Sequence, residues 1–175
     1  MRLRSLVLML SLLPVLLRPV RASDLDKIRE LARAKFPDVK QISTDTLANW
    51  LAATNRLAPL LVDVRSVAEF QVSHLRNALH TESVQEVKTR AAAGSNRETR
   101  PVVVYCAVGY RSSAFVQKLQ KAGLTNVFNL DGSIFQWANE GRELFRDNGR
   151  VKVVHPYDRK WGRLLKPEYR ANVLK

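Results

Sequence analysis

At 175 residues with 46% hydrophobic composition, the chain can bury one proper core and is too short for several domains. Lysine and arginine outnumber aspartate and glutamate 29 to 16, and this net charge of +13 disfavours cationic ligands and favours anionic small molecules, acidic partners or membrane surfaces. One cysteine excludes a disulfide framework, no His/Cys/Asp spacing suggests a metal site, and no motif directs the basic surface to nucleic acid.

Arg2 and Arg4 precede an apolar run over residues 6–17 broken only by Ser11 and Pro14; Arg18-Pro19-Val20-Arg21-Ala22 follows. A charged head, a short apolar run and a small-residue exit read as a secretory signal peptide over 1–22, and the run is too short for a conventional spanning helix. Arg18 and Arg21 keep an uncleaved membrane anchor as the rival reading. Export to the periplasm or beyond is expected, with the mature chain starting near Ser23. Its charge is then about +9, since the leader holds four arginines and no acid (13 − 4).

Residues 23–41 form a helical extension: Leu25, Ile28, Leu31 and Ala32 recur in helical rhythm, Ser23 or Asp24 serves as N-cap, and Pro37 ends the helix. A short strand is expected over 39–42. Thr44 then caps a helix whose core stripe is Leu47, Trp50 and Leu51. Residues 60–65 read as a strand with Asp63 at its C-terminal end, either shaping a neighbouring loop or pairing with Arg65 or Arg76. In the short helical turn after it, Phe70 is expected in the core and Glu69 on an arginine. His74 is read as a hydrogen-bonding turn residue ahead of a strand at 78–80, and His80 and His155 as structural. A helix over 83–93 and a polar loop around 94–100 follow.

The chain is organised around residues 101–119. Val102-Val103-Val104-Tyr105 is an uninterrupted β-branched and aromatic run, which reads as a parallel strand buried on both faces. Phe115, Val116, Leu119 and Ala122 recur at helical spacing beyond it, so Cys106 falls where a central strand ends and a helix begins, the place where open α/β sheets bind ligands. Backbone N–H groups at a helix start lack intrahelical partners and carry partial positive charge. Gly109 lets Ala107, Val108, Gly109, Tyr110, Arg111 and Ser112 curl so that those groups converge, and Arg111 adds a permanent cation. Cys106 in such a cradle is expected to act as a thiolate nucleophile, the competing reading being a buried small hydrophobe. Val108 and Tyr110 are expected to point outward and control access.

Gly123 closes that helix, residues 126–130 form the last sheet strand, and Asp131-Gly132-Ser133 leads into a helix with Phe135, core Trp137 and Ala138. Residues 151–154 suggest an added edge strand. The aromatic tail beyond either wraps the domain or presents Tyr157 and Trp161 to a partner.

Asp63-Val64-Arg65, Glu69-Phe70, His74-Leu75, Ala78, Cys106 to Ser112, Leu130-Asp131-Gly132 and Trp137, in that order, resemble the rhodanese family of sulfurtransferases. The resemblance implies an α/β fold with a five-stranded parallel sheet flanked by helices on both faces, one such domain over 42–145, and an extension over 146–175 packing on it. It implies a Cys106 persulfide carrying sulfane sulfur from a small anionic donor such as thiosulfate to a thiol, cyanide or protein acceptor, with Asp63 and Arg65 in support and without a cofactor. Membrane contact is expected only if the leader is retained. The alternative is a non-catalytic persulfide carrier or a sulfur-sensing module that docks a partner. Cysteine phosphatases of this kind place five residues between Cys and Arg to cup a phosphate; with four here, the ring suits a single sulfur atom. Ser73, Asn77 and Ser133 stand where the family commonly has glycine, and Ser73 is the harder change because Asn tolerates left-handed backbone.

Overall fold

The computed structural model describes residues 24–55, 57–92 and 100–173, so the leader read over 1–22 and the loop residues 93–99 lie outside it. Helices and strands alternate: α1 (Asp24–Lys35), β1 (Gln41–Ile42), α2 (Thr44–Ala52), β2 (Leu60–Asp63), α3 (Val67–Val72), β3 (Leu79–His80), α4 (Val84–Ala92), β4 (Val102–Tyr105), α5 (Tyr110–Lys121), β5 (Val127–Leu130) and α6 (Ser133–Asn139). A hairpin of β6 (Leu144–Arg146) and β7 (Gly149–Val151) and two short 3-10 turns complete the described chain. Strands β1 to β5 form one parallel sheet in the order β1-β5-β4-β2-β3. β4 is the middle strand, and its unbroken apolar character follows from that position, because both of its faces are covered.

Strand alternation divides the core in two. Leu61, Val103 and Tyr105 face a cluster that takes Leu47 from α2 and Ile134, Phe135 and Ala138 from α6. Leu60, Val62, Val102 and Val104 face the other, with Val87 and Ala91 from α4 and Phe115, Val116 and Leu119 from α5. The tail reaches the first cluster through Val154 and Leu165, both essentially inaccessible. α1 supplies Leu25 to that cluster, and Phe36, just past its end, supplies the second.

Several local expectations change. Ser43, not Thr44, caps α2: its hydroxyl accepts from the Thr46 N–H at 3.0 Å, while Thr44 turns inward and donates to Glu140. Leu51 faces solvent, and Trp50 is half-buried, edge-on to Phe128. Phe70 is not a core residue; it lies half-buried between the rings of His74 and His80, with centroids 4.1 and 4.6 Å away. No edge strand forms over 151–154: Val151 closes the separate antiparallel hairpin, because β6 turns back on itself and the outer positions of the sheet belong to β1 and β3. Asn77 takes the left-handed conformation (φ 57°), whereas Ser73 is extended (φ −170°) and needs no glycine.

At the end of β2 the carboxylate of Asp63 accepts from the Arg65 backbone N–H, from Nε at 2.9 and 3.1 Å and from Nη2 at 2.7 Å; both side chains are wholly buried. Burial opposes the charge on Arg65, but Asp63 outweighs it and holds the guanidinium above its ordinary value. Arg65 also donates to the Ser73 carbonyl at 2.6 Å, and its own carbonyl meets His80 Nε2 at 2.7 Å, so one ion pair ties the end of β2 to the turn after α3 and to β3. Removing one partner strands a buried charge. Asp63→Ala is therefore expected to lower the unfolding free energy by about 3–5 kcal/mol, read from urea denaturation, with part of it recovered in the Asp63→Leu/Arg65→Met double variant.

Candidate active site

Cys106 is the first residue after β4, at the C-terminal edge of the sheet, and is itself almost inaccessible. The loop that follows is held open from behind. The N–H groups of Ile134 and Phe135, in the first turn of α6, donate to the carbonyls of Cys106 and Ala107 at 3.2 and 3.0 Å. Gly109 then takes a left-handed conformation (φ 102°) as N-cap of α5. This turn directs the Gly109 N–H onto Sγ at 3.2 Å, while the buried Ser112 hydroxyl reaches the same sulfur at 3.4 Å. Ser113 locks the turn by donating to the Gly109 carbonyl at 2.7 Å. Two donors aimed at one sulfur leave it without a competing acceptor partner in the loop and would hold an added sulfur in place.

Arg111 lies at the wall of the site, but it does not point free into it. Its two terminal nitrogens grip the Glu69 carboxylate at 3.0 and 2.8 Å, and Glu69 is buried. Glu69 also closes a capping box with Ser66 at the start of α3. Burial opposes the ionised forms of both groups; their mutual hydrogen bonds win, holding the Glu69 carboxyl below and the Arg111 guanidinium above their ordinary values. The ring of Tyr157 covers the guanidinium at 5.1 Å. Asp63 and Arg65 do not reach the sulfur; they brace the neighbouring strand end, where Asp63 sits in register with Tyr105. Tyr105 is fully buried and accepts the Leu75 N–H, and burial pushes its hydroxyl well above the ordinary tyrosine value.

Val108, expected to point outward, is instead buried against the α6 side of the core; Tyr110 is exposed, edge-on to Phe36. Above Cys106 opens a cavity of about 320 Å³. Part of its wall comes from outside the signature residues: Ile28 and Leu31 on α1, and Tyr157 and Trp161 in the tail. α1 is fixed there because Arg29 grips Asp131 at 3.0 and 2.6 Å and Arg33 bonds the same carboxylate. Their periodic and aromatic character was legible, but nothing in their sequence spacing relates them to Cys106. Ser133 was likewise missed as a working residue. It sits left-handed (φ 52°), where glycine is ordinarily preferred, and its hydroxyl accepts the Cys106 N–H at 3.1 Å while donating to the Leu130 carbonyl at 3.0 Å.

Ser133→Ala leaves a buried N–H unpaired and is expected to cost about 1–3 kcal/mol in chemical denaturation. Ser133→Gly should cost less, because it relieves the left-handed backbone. Glu69→Gln removes an ion pair whose folded-state carboxyl is depressed. Its stabilisation is present above the unfolded carboxylate value of about 4.3 and disappears as pH falls through the lower folded value. The Tm difference between wild type and variant should therefore be full at neutral pH and close in acid.

The chain matches the family profile "Rhodanese-like domain" over residues 43–140. It is 32% identical over 111 residues to a protein named sulfurtransferase from Allochromatium vinosum, covering 63% of this chain and 99% of that one. Over 100 residues it is 30% identical to a probable adenylyltransferase/sulfurtransferase, MoeZ, from Mycobacterium tuberculosis; the match takes in 57% of this chain and only 24% of that longer relative. Among solved structures, a thiosulfate sulfurtransferase from Pseudomonas aeruginosa superposes with a TM-score of 0.56 at 20% identity over 80% of this chain and 26% of that one, a likeness of fold. With the parallel sheet, the strand-end cysteine and a profile match over more than half of its length, the chain belongs to the rhodanese-like domain family.

Proposed function

We propose that the protein is a sulfurtransferase that carries sulfane sulfur on Cys106. The observation that carries this reading is the convergence of the Gly109 N–H and the Ser112 hydroxyl on Cys106 Sγ, at the base of a cavity. The Cys106 thiolate attacks the outer sulfur of a donor such as thiosulfate. A new S–S bond forms to Cys106, the donor's S–S bond breaks, and its electron pair leaves with sulfite. The two donors then face the persulfide and offset its negative charge. A thiol, cyanide or an acceptor protein next attacks the outer sulfur and returns Cys106 to the thiolate. Four residues between Cys106 and Arg111 give a ring sized for one sulfur rather than a phosphate. The name carried by the relative of 32% identity supports sulfur transfer as the reaction class. Residues 1–22 read as a leader that would send this activity out of the cytoplasm.

The test is intact-mass spectrometry after exposure to thiosulfate, followed by discharge with cyanide. The expected result is a gain of one sulfur atom that cyanide removes as thiocyanate, and no gain in Cys106→Ala. A stable persulfide that no acceptor discharges would instead identify a carrier; hydrolysis of an aryl phosphate would overturn the reading. Gly109→Ala is expected to cut persulfide formation at least tenfold while costing about 1–2 kcal/mol of stability, since alanine resists the left-handed turn that aims the N–H. If the leader reading holds, exported protein should have the mass of a chain beginning at Ser23.

A further inference from the structure

The wall of the Cys106 cavity is chemically one-sided. Leu31, Tyr110 and Tyr157 are 61%, 43% and 48% exposed around a single mouth, and Ile28 and Trp161 stand beside them. Large apolar side chains grouped in this way mark a binding surface, and about 320 Å³ lies in the range of small-molecule sites. Among the described lining residues the one cation is Arg111, and it is engaged twice, by the Glu69 carboxylate at its edge and by the Tyr157 ring over its face. A donor such as thiosulfate would bring two negative charges against this wall, and its sulfite leaving group would keep both. With the cation already neutralised, that desolvation goes uncompensated. A donor with an apolar group on its leaving half instead buries that group against leucine, isoleucine and aromatic rings.

We propose that the preferred donor is a sulfane-sulfur compound whose leaving half carries an uncharged apolar group, such as an aryl or alkyl thiosulfonate, and that Leu31, Tyr157 and Trp161 set this preference. The inference rests on the persulfide chemistry of Cys106 described above. The Cys106 thiolate bonds to the outer sulfur of the thiosulfonate, and the bond from that sulfur to the sulfonyl sulfur breaks. Its electron pair departs with the sulfonyl group as a sulfinate, leaving a Cys106 persulfide anion; charge is conserved and no outside oxidant or reductant is needed. The apolar substituent stays in the cavity mouth throughout.

Benzenethiosulfonate, methanethiosulfonate and thiosulfate are compared as donors to the full chain. Each kcat/KM is divided by the donor's rate with a free small thiol, which removes intrinsic reactivity. The phenyl compound is expected to exceed the methyl compound by about tenfold or more, and thiosulfate to fall below both. Tyr157→Gly suits the left-handed backbone at that position (φ 66°) and removes the ring from both the wall and Arg111. It should narrow the phenyl-to-methyl ratio several-fold and raise turnover of thiosulfate. Leu31→Ser, at an exposed helix position, should narrow the ratio in the same direction. A ratio near one in the wild type, a ratio untouched by both variants, or thiosulfate as the best donor overturns the apolar-donor inference alone. Failure of all three donors to load Cys106 overturns the persulfide reading itself.

Discussion

The site depends on one backbone constraint, the left-handed turn at Gly109. At φ 102° a side chain is disfavoured, and a Cβ there would sit 3.3 Å from Asn129 Nδ2. The turn lets β4 pass directly into α5 while the N–H of Gly109 swings back onto the sulfur three residues earlier. Everything else around Cys106 preserves that geometry. α6 holds the loop carbonyls from behind, Ser133 holds the Cys106 N–H, and Ser113 closes the Gly109 carbonyl. The sulfur is thus met by donors while the carbonyls of Cys106, Ala107 and Gly109 in the same loop are satisfied elsewhere, which is what a site for a negatively charged atom requires.

Two carboxylate–guanidinium pairs flank this loop and differ in what they do. Asp63–Arg65 is sealed in the interior and fixes backbone: a strand end, the Ser73 carbonyl and the His80 ring all meet at it. Glu69–Arg111 stands at the edge of the cavity with its carboxylate buried and its guanidinium partly open. The second pair limits the electrostatics of the mouth. A chain with net charge +13 has a strongly basic surface, yet Arg111, the cation among the described residues lining the cavity, is already bonded to an acid and covered by an aromatic ring. Long-range attraction of anions and short-range preference for apolar groups therefore coexist in one molecule.

The segments outside the family match are part of the site's surroundings. α1 is fixed by Arg29 and Arg33 on Asp131, two residues before Ser133, so the helix that supplies Ile28 and Leu31 is anchored on the loop that also supports Cys106. The tail is anchored through Val154 and Leu165 in the core, which places Tyr157 and Trp161 over the cavity. The family module supplies the thiol and its donors; the extensions supply the shape of the opening.

By itself the sequence determined the order of strands and helices as far as α6, the parallel sheet and the position of Cys106 at a strand end, but not the β6–β7 hairpin beyond. Those features rest on local signals: an unbroken apolar run, helical spacing, and a glycine at the turn. Glu69 was legible as an arginine's partner, but Arg111 as that arginine was not, because the two are 42 residues apart and meet only in the folded chain. Ser133 looked like a lapse from a glycine pattern; only the fold shows that its hydroxyl meets the Cys106 N–H from the next strand's loop. Val108 looked exposed because a loop position says nothing of which layer it faces. The cavity mouth was decided entirely by tertiary structure. Residues near 30 and near 160 approach Cys106 only through long-range packing, and no periodicity along the chain encodes a contact across it.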